Sequence, residues 1–155
     1  MTEVQEKVSE LSEKYGRRRE NLLPILQGIV EREHYLTDTA MIQVAKELDI
    51  SAAEVYGTAS FYSFLDTELR GNYVIRICKT ISCDMLGKNA IVKAIEDVLK
   101  IKVGETTSSK MFTLLEASCL GWCHKAPAML INDTPYTELT SSKVTEILQT
   151  YIKKK

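Results

Sequence analysis

Four cysteines, Cys78, Cys83, Cys119 and Cys123, are the residues of this 155-residue chain best suited to carry chemistry. They form two close pairs, with four residues between Cys78 and Cys83 and three between Cys119 and Cys123. Thiolates are soft ligands, and an all-cysteine set suits zinc or an iron–sulfur cluster. Zinc sites commonly place roughly two to four residues between paired cysteines, so spacing alone leaves zinc and a cluster both open. A thioredoxin-type dithiol is disfavoured because the chain has no Cys-x-x-Cys pair.

The compartment argues against disulfide staples. No apolar run approaches the ~20 residues that span a bilayer, and the first residues, Met1 to Lys7, lack the apolar stretch of a secretory signal. The expectation is a cytoplasmic protein with no direct membrane insertion, where reducing conditions favour metal ligation over cystine. Twenty basic residues against twenty-one acidic ones leave a formal charge of -1, which gives no global attraction to nucleic acid. With 45% hydrophobic residues, the chain has enough apolar surface for an ordinary core.

The elements that must position the thiols divide into two stretches, 1–69 and 70–155. The first carries helix signals and no cysteine. Thr2 and Gln5 have capping-box spacing, Asn21 is placed to cap a helix with Leu22, Ile25, Leu26, Ile29 and Val30 on one face, and Pro24 fits its first turn. Asp38 is placed to cap a helix striped by Met41, Val44, Ala45 and Leu48, while Ser51 and Glu54 open one through Val55, Ala59 and Tyr62. This stretch reads as a small helical bundle.

From Gly71 and Asn72, read as turn residues, the pattern changes. Tyr73 to Ile77 is β-branched and aromatic enough for a strand, 87–100 has helical spacing at Ile91, Ala94, Ile95, Val98 and Leu99, and Met111 to Leu115 reads as a second strand. A strand–helix–strand order predicts parallel strands, which would bring Cys78 and Cys119 to one sheet edge. Ala128 to Ile131 and Tyr136 to Leu139 flank a turn at 132–135, and the last helix carries Val144, Ile147, Leu148 and Tyr151 before three lysines that complement its dipole. The fold class expected is α+β, a helical bundle followed by an α/β domain with a mixed sheet.

The two cysteine segments also carry a resemblance. Cys78-Lys79-Thr80-Ile81-Ser82-Cys83-Asp84-Met85-Leu86-Gly87 and Cys119-Leu120-Gly121-Trp122-Cys123-His124-Lys125-Ala126-Pro127-Ala128-Met129-Leu130-Ile131-Asn132 are similar to the ligand loops of the thioredoxin-like 2Fe-2S ferredoxins. That family includes small subunits of respiratory NADH dehydrogenase and of NAD-linked hydrogenases and formate dehydrogenases. The segment from Val55 to Phe64 resembles the aromatic end of the family's N-terminal helices.

The resemblance implies a thioredoxin-like sheet, one 2Fe-2S cluster on Cys78, Cys83, Cys119 and Cys123, and a role as a non-catalytic electron-transfer subunit of an NAD(P)-linked oxidoreductase. It also implies a flavin- and NAD(P)-binding partner subunit, with FMN and NAD(P) held there. No glycine-rich nucleotide fingerprint or P-loop is found in this chain. Trp122 departs from the family, which usually has a smaller residue there. The alternative reading is a zinc-stabilised module that binds protein or nucleic acid.

Other residues have more modest readings. Gly121 is expected to take positive φ and turn backbone N–H groups toward sulfur. His124 and Lys125 are candidates for stabilising added charge, against a plain exposed-loop role. Tyr56, Phe61, Tyr62 and Phe64 suit a partner surface or internal packing. Arg17, Arg18 and Arg19 read as a solvated turn and His34 as a helix end.

Overall fold

The computed structural model describes residues 3–154. The chain divides into two compact units, Met1–Leu69 and Arg70–Lys155. The proposed Thr2 cap and the last of the three C-terminal lysines lie outside the described residues.

The first unit is built from α1 (Glu3–Tyr15), a short 3-10 turn (Arg19–Asn21), α2 (Leu22–Glu33), α3 (Asp38–Leu48) and α4 (Ala52–Phe61). Its core collects Val8, Leu11, Ile25, Leu26, Ile29, Leu36, Val44 and Val55, so each helix turns its apolar stripe inward. Ser51 caps α4 by accepting from the Glu54 N–H at 3.2 Å. Two expected caps are corrected. Thr37, one residue before Asp38, caps α3 by accepting from the Ala40 N–H at 3.1 Å, and Asp38 is the first helical residue. Asn21 occupies the cap position of α2, but its side-chain amide donates backward to the carbonyls of Tyr15 and Gly16, fixing the turn instead. His34 ends α2 with φ 68°. The three arginines are paired with carboxylates of their own unit: Arg17 with Glu47 and Glu13, Arg18 with Glu20, and Arg19 with Glu54. Such pairs add little stability, but they locally offset the positive charge of the run.

The second unit begins with β1 (Tyr73–Cys78), α5 (Ile81–Met85), α6 (Lys88–Leu99) and β2 (Phe112–Ala117). A 3-10 turn (Cys123–Lys125), β3 (Met129–Ile131), β4 (Thr134–Tyr136) and α7 (Ser141–Lys153) complete it. The strands order as β2-β1-β3-β4, with β1 parallel to β2 and antiparallel to β3, giving the mixed sheet expected. Ile75, Ile77, Leu114, Met129 and Ile131 pack with Ile91 and Ile95 of α6 and Val144 and Leu148 of α7 into a separate core.

Three local expectations change. The segment between Cys78 and Cys83 is a helical turn, α5, and not only a loop. The hairpin turn is limited to residues 132–133, with Asn132 at φ 52°, so Thr134 and Pro135 already belong to the last strand. Pro135 is tolerated because β4 lies at the sheet edge, where a missing N–H need not leave a ladder unpaired. Finally, Gly71 is buried at the β1–β2 approach, and its N–H donates to the Thr113 hydroxyl at 2.7 Å. A Cβ there would sit 2.8 Å from the backbone N and C of Phe112. Gly71→Ala is expected to destabilise the unit by about 1–3 kcal/mol, the usual cost of overpacking where backbone must yield. The check is the denaturant midpoint, which should fall; an unchanged midpoint would show that the approach is loose.

Candidate metal centre

Register places the cysteines. Cys78 is the last residue of β1 and pairs with Ala117, the last residue of β2. Two residues beyond Ala117 comes Cys119, so the parallel pairing delivers both cysteine segments to the same edge. Main-chain bonds fasten that edge: the Lys79 N–H donates to the Ala117 carbonyl at 2.9 Å, and the Cys78 N–H to the Ala128 carbonyl at 3.2 Å. The Ala126–Pro127 peptide leading into β3 is cis.

Cys78 and Cys83 are each about 1% exposed, whereas Cys119 and Cys123 are exposed, and all four are free thiols. The arrangement is therefore an inner pair and an outer pair. The outer sulfurs are 3.2 Å apart, and each inner thiol influences the other's ionisation. Among the described residues, no three His, Cys, Asp or Glu side chains form a compact single-ion site.

Each segment also carries its own hydrogen bonds to sulfur. Burial disfavours the Cys78 thiolate, but the Thr80 hydroxyl, the N–H groups of Thr80 and Leu120, and the Cys83 thiol outweigh it, holding Cys78 below the ordinary thiol range. Leu120 belongs to the second cysteine segment, so that segment helps favour a thiolate of the first. Burial pushes Cys83 up, and the neighbouring Cys78 adds to that, although the Ala128 N–H and the Thr80 hydroxyl favour its thiolate. At the outer pair, Cys119 raises Cys123 through their hydrogen bond and through charge, with charge contributions from Cys78 and Cys83 as well. Soft thiol side chains grouped as two pairs at one sheet edge are a donor set that suits metal ligation.

Gly121 has φ 82°, and its N–H lies 3.4 Å from the Cys119 sulfur, the geometry expected of a glycine at that turn. Trp122 stacks on His124 with ring centroids 5.9 Å apart, and both are exposed beside Cys123. Lys125 is exposed, and its backbone is tied to the Trp122 carbonyl. Ile81 and Met85 of α5 and Leu86 just after it are exposed apolar side chains. In the first unit, Tyr56, Phe61 and Phe64 are exposed, whereas Tyr62 packs against the helical core. The cysteines announced themselves by type and spacing. Thr80, Leu120 and Ala128 did not; Thr80 carried the one available signal, a hydroxyl two residues after a cysteine.

A mixed sheet with β1 parallel to β2 and antiparallel to β3, and with two cysteine segments leaving the ends of the parallel pair, defines a thioredoxin-like fold. The chain belongs to the thioredoxin-like [2Fe-2S] ferredoxin family, whose model matches residues 8–152. It is 32% identical over 149 residues to a subunit of NADH-quinone oxidoreductase from Aquifex aeolicus (strain VF5), covering 96% of this chain and 93% of that protein. The corresponding subunit from Buchnera aphidicola subsp. Acyrthosiphon pisum (strain APS) is 36% identical over 126 residues, 81% of this chain and 78% of that one. An NAD+-reducing [NiFe]-hydrogenase in its H2-reduced crystal structure shares the fold, with a TM-score of 0.78 at 22% identity over 89% of this chain. This chain spans 23% of the length of that hydrogenase chain. Among the described residues, no helix is long and apolar enough to cross a membrane.

Proposed function

We propose that Cys78, Cys83, Cys119 and Cys123 hold one [2Fe-2S] cluster and that the chain is a non-catalytic electron-transfer subunit of an NAD(P)-linked oxidoreductase complex in the cytoplasm. The observation that carries this reading is the meeting of the two cysteine segments at one sheet edge, where Cys78 pairs with Ala117 and the Lys79 N–H donates to the Ala117 carbonyl, two residues before Cys119. Pairwise grouping of the thiols suits two metal atoms, each held by a pair. When bound, such a cluster accepts and releases single electrons.

The chain's own residues supply the setting. Cys78 and Cys83, buried at the end of β1 and in α5, keep the inner side dry, while N–H donors from Thr80, Leu120, Gly121 and Ala128 offset negative charge on sulfur. The exposed outer pair, with the exposed Trp122 between its two cysteines, would face the approach of a partner. That partner is assigned as a flavin- and NAD(P)-binding subunit. A nicotinamide exchanges a hydride while a flavin passes electrons singly, so a one-electron centre belongs beside the flavin. Residues 70–155 would carry the centre, and the helical residues 1–69, with exposed Tyr56, Phe61 and Phe64, would dock on the partner. NADH dehydrogenase and electron-bifurcating hydrogenase are the complexes that fit this role.

The test is iron, acid-labile sulfide and zinc analysis of anaerobically purified protein, with spectra before and after dithionite. Two irons and two sulfides per chain, with visible absorbance that bleaches on reduction, are expected for a [2Fe-2S] centre. Stoichiometric zinc in a colourless protein would replace this reading with the zinc-stabilised interaction module.

A further inference from the structure

Four Ser or Thr residues stand at N-cap positions of described helices: Thr37, Ser51, Thr80 and Thr140. Three of them do what such residues ordinarily do. Thr37, Ser51 and Thr140 accept from the N–H groups of Ala40, Glu54 and Lys143 at 3.1, 3.2 and 3.2 Å. Thr80 does not cap α5, although its backbone, at φ -72° and ψ 158°, has the same extended conformation as the other three. Its hydroxyl is turned away from the helix and lies 3.0 Å from the Cys78 sulfur. A short helix thus gives up its side-chain cap in favour of a contact with the Cys78 thiol.

We infer that Thr80 is a positioning residue that sets the reduction potential of the centre, its hydroxyl donating to the Cys78 sulfur and raising that potential. The inference rests on the reading of Cys78 and Cys83 as ligands. A ligating thiolate has no proton and can only accept, so the shared contact becomes an O–H donation from Thr80. One electron, from a reduced flavin or from dithionite, increases the negative charge on the ligand sulfurs. A hydrogen bond to a more negative acceptor is stronger, so the donor favours the reduced state over the oxidised one. The Thr80 proton stays on Oγ1, and no covalent bond of that side chain forms or breaks. Because Cys78 and Cys83 are each about 1% exposed, water does not dilute the effect. The backbone donors at the site act in the same direction but cannot be deleted by changing a side chain, whereas this one can.

The experiment compares wild type with Thr80→Val, which keeps the branched shape without the donor, and Thr80→Ser, which keeps the donor without the methyl. Iron and sulfide content is measured first, and then the midpoint potential by spectroelectrochemistry. Thr80→Val should retain the centre, with its one-electron reduction constant about tenfold lower, equivalent to about 59 mV for a one-electron couple. Thr80→Ser should match wild type. A Thr80→Val potential equal to wild type at full cluster content overturns the inference and leaves the ligand assignment standing, as does a Thr80→Ser potential that falls with Thr80→Val. Should Thr80→Val not retain the centre, Thr80→Ala provides a second hydroxyl-free side chain. Loss of the centre in both assigns Thr80 to retention and overturns the tuning role. Wild-type protein without iron and sulfide would instead overturn the ligand reading beneath it.

Discussion

Cys119→Ala protein is expected to purify folded but colourless, with near-complete loss of iron and acid-labile sulfide, and Cys78→Ala protein to lose them as well. The two variants test the same ligand set from opposite sides. Cys119 is exposed, so its sulfur contributes little to packing, and its removal should leave the far-ultraviolet circular dichroism unchanged. Cys78 is buried at the end of β1 and its main chain joins the sheet to the segment before β3, so some loss of stability should accompany loss of the centre. In each case three thiolates remain where an all-cysteine cluster uses four. The measurement is metal and sulfide content per folded chain. Full cluster content in Cys119→Ala would remove Cys119 from the ligand set, and the same result in Cys78→Ala would remove Cys78.

Ile75→Ala should produce the largest loss of stability in the second unit, about 2–5 kcal/mol, the usual range for truncating a fully buried Ile to Ala. Ile75 has 0% exposure on β1 and stands in register with Leu114 of β2 on one side and Ile131 of β3 on the other. Small domains are stable by only about 5–15 kcal/mol, so such a loss is a large fraction of the whole. Ile75→Val, which removes a single methyl group, should cost about 0.5–1.5 kcal/mol. Trp122 is the only tryptophan and lies in the second unit, so its fluorescence follows this unit through denaturant unfolding. Equal midpoints for wild type and Ile75→Ala would mean that β1 does not anchor the core. Because β1 ends in Cys78, the variant should also lose iron faster to a chelator.

Much of the architecture could be read in advance because its signals are local. Val144 and Leu148 mark α7, Ile91 and Ile95 mark α6, and Tyr73 to Ile77 mark β1, through periodicities that each element expresses alone. Boundaries were less legible. Thr37 and Asp38 are both competent caps, and only the position at which the backbone turns helical chose between them. Pro135 argued for a turn until the sheet order placed β4 at an edge. Gly71 looked like a turn glycine, but the constraint on it comes from the backbone of Phe112, far along the chain.

The candidate site divides in the same way. Residue type and spacing singled out the four cysteines as candidate donors, and the strand–helix–strand order pointed both segments to one edge, because side-chain chemistry and element order are properties of the chain taken locally. Folding in three dimensions decided which pair is buried, that the Cys78 N–H reaches the Ala128 carbonyl, and that the Thr80 hydroxyl turns from its helix to sulfur. Those contacts depend on Cys78 lying opposite Ala117, a register held by the joint burial of Ile75, Ile77 and Leu114. Hydrogen bonds are short and directional, so contacts between distant segments exist only once that collective packing has aligned them.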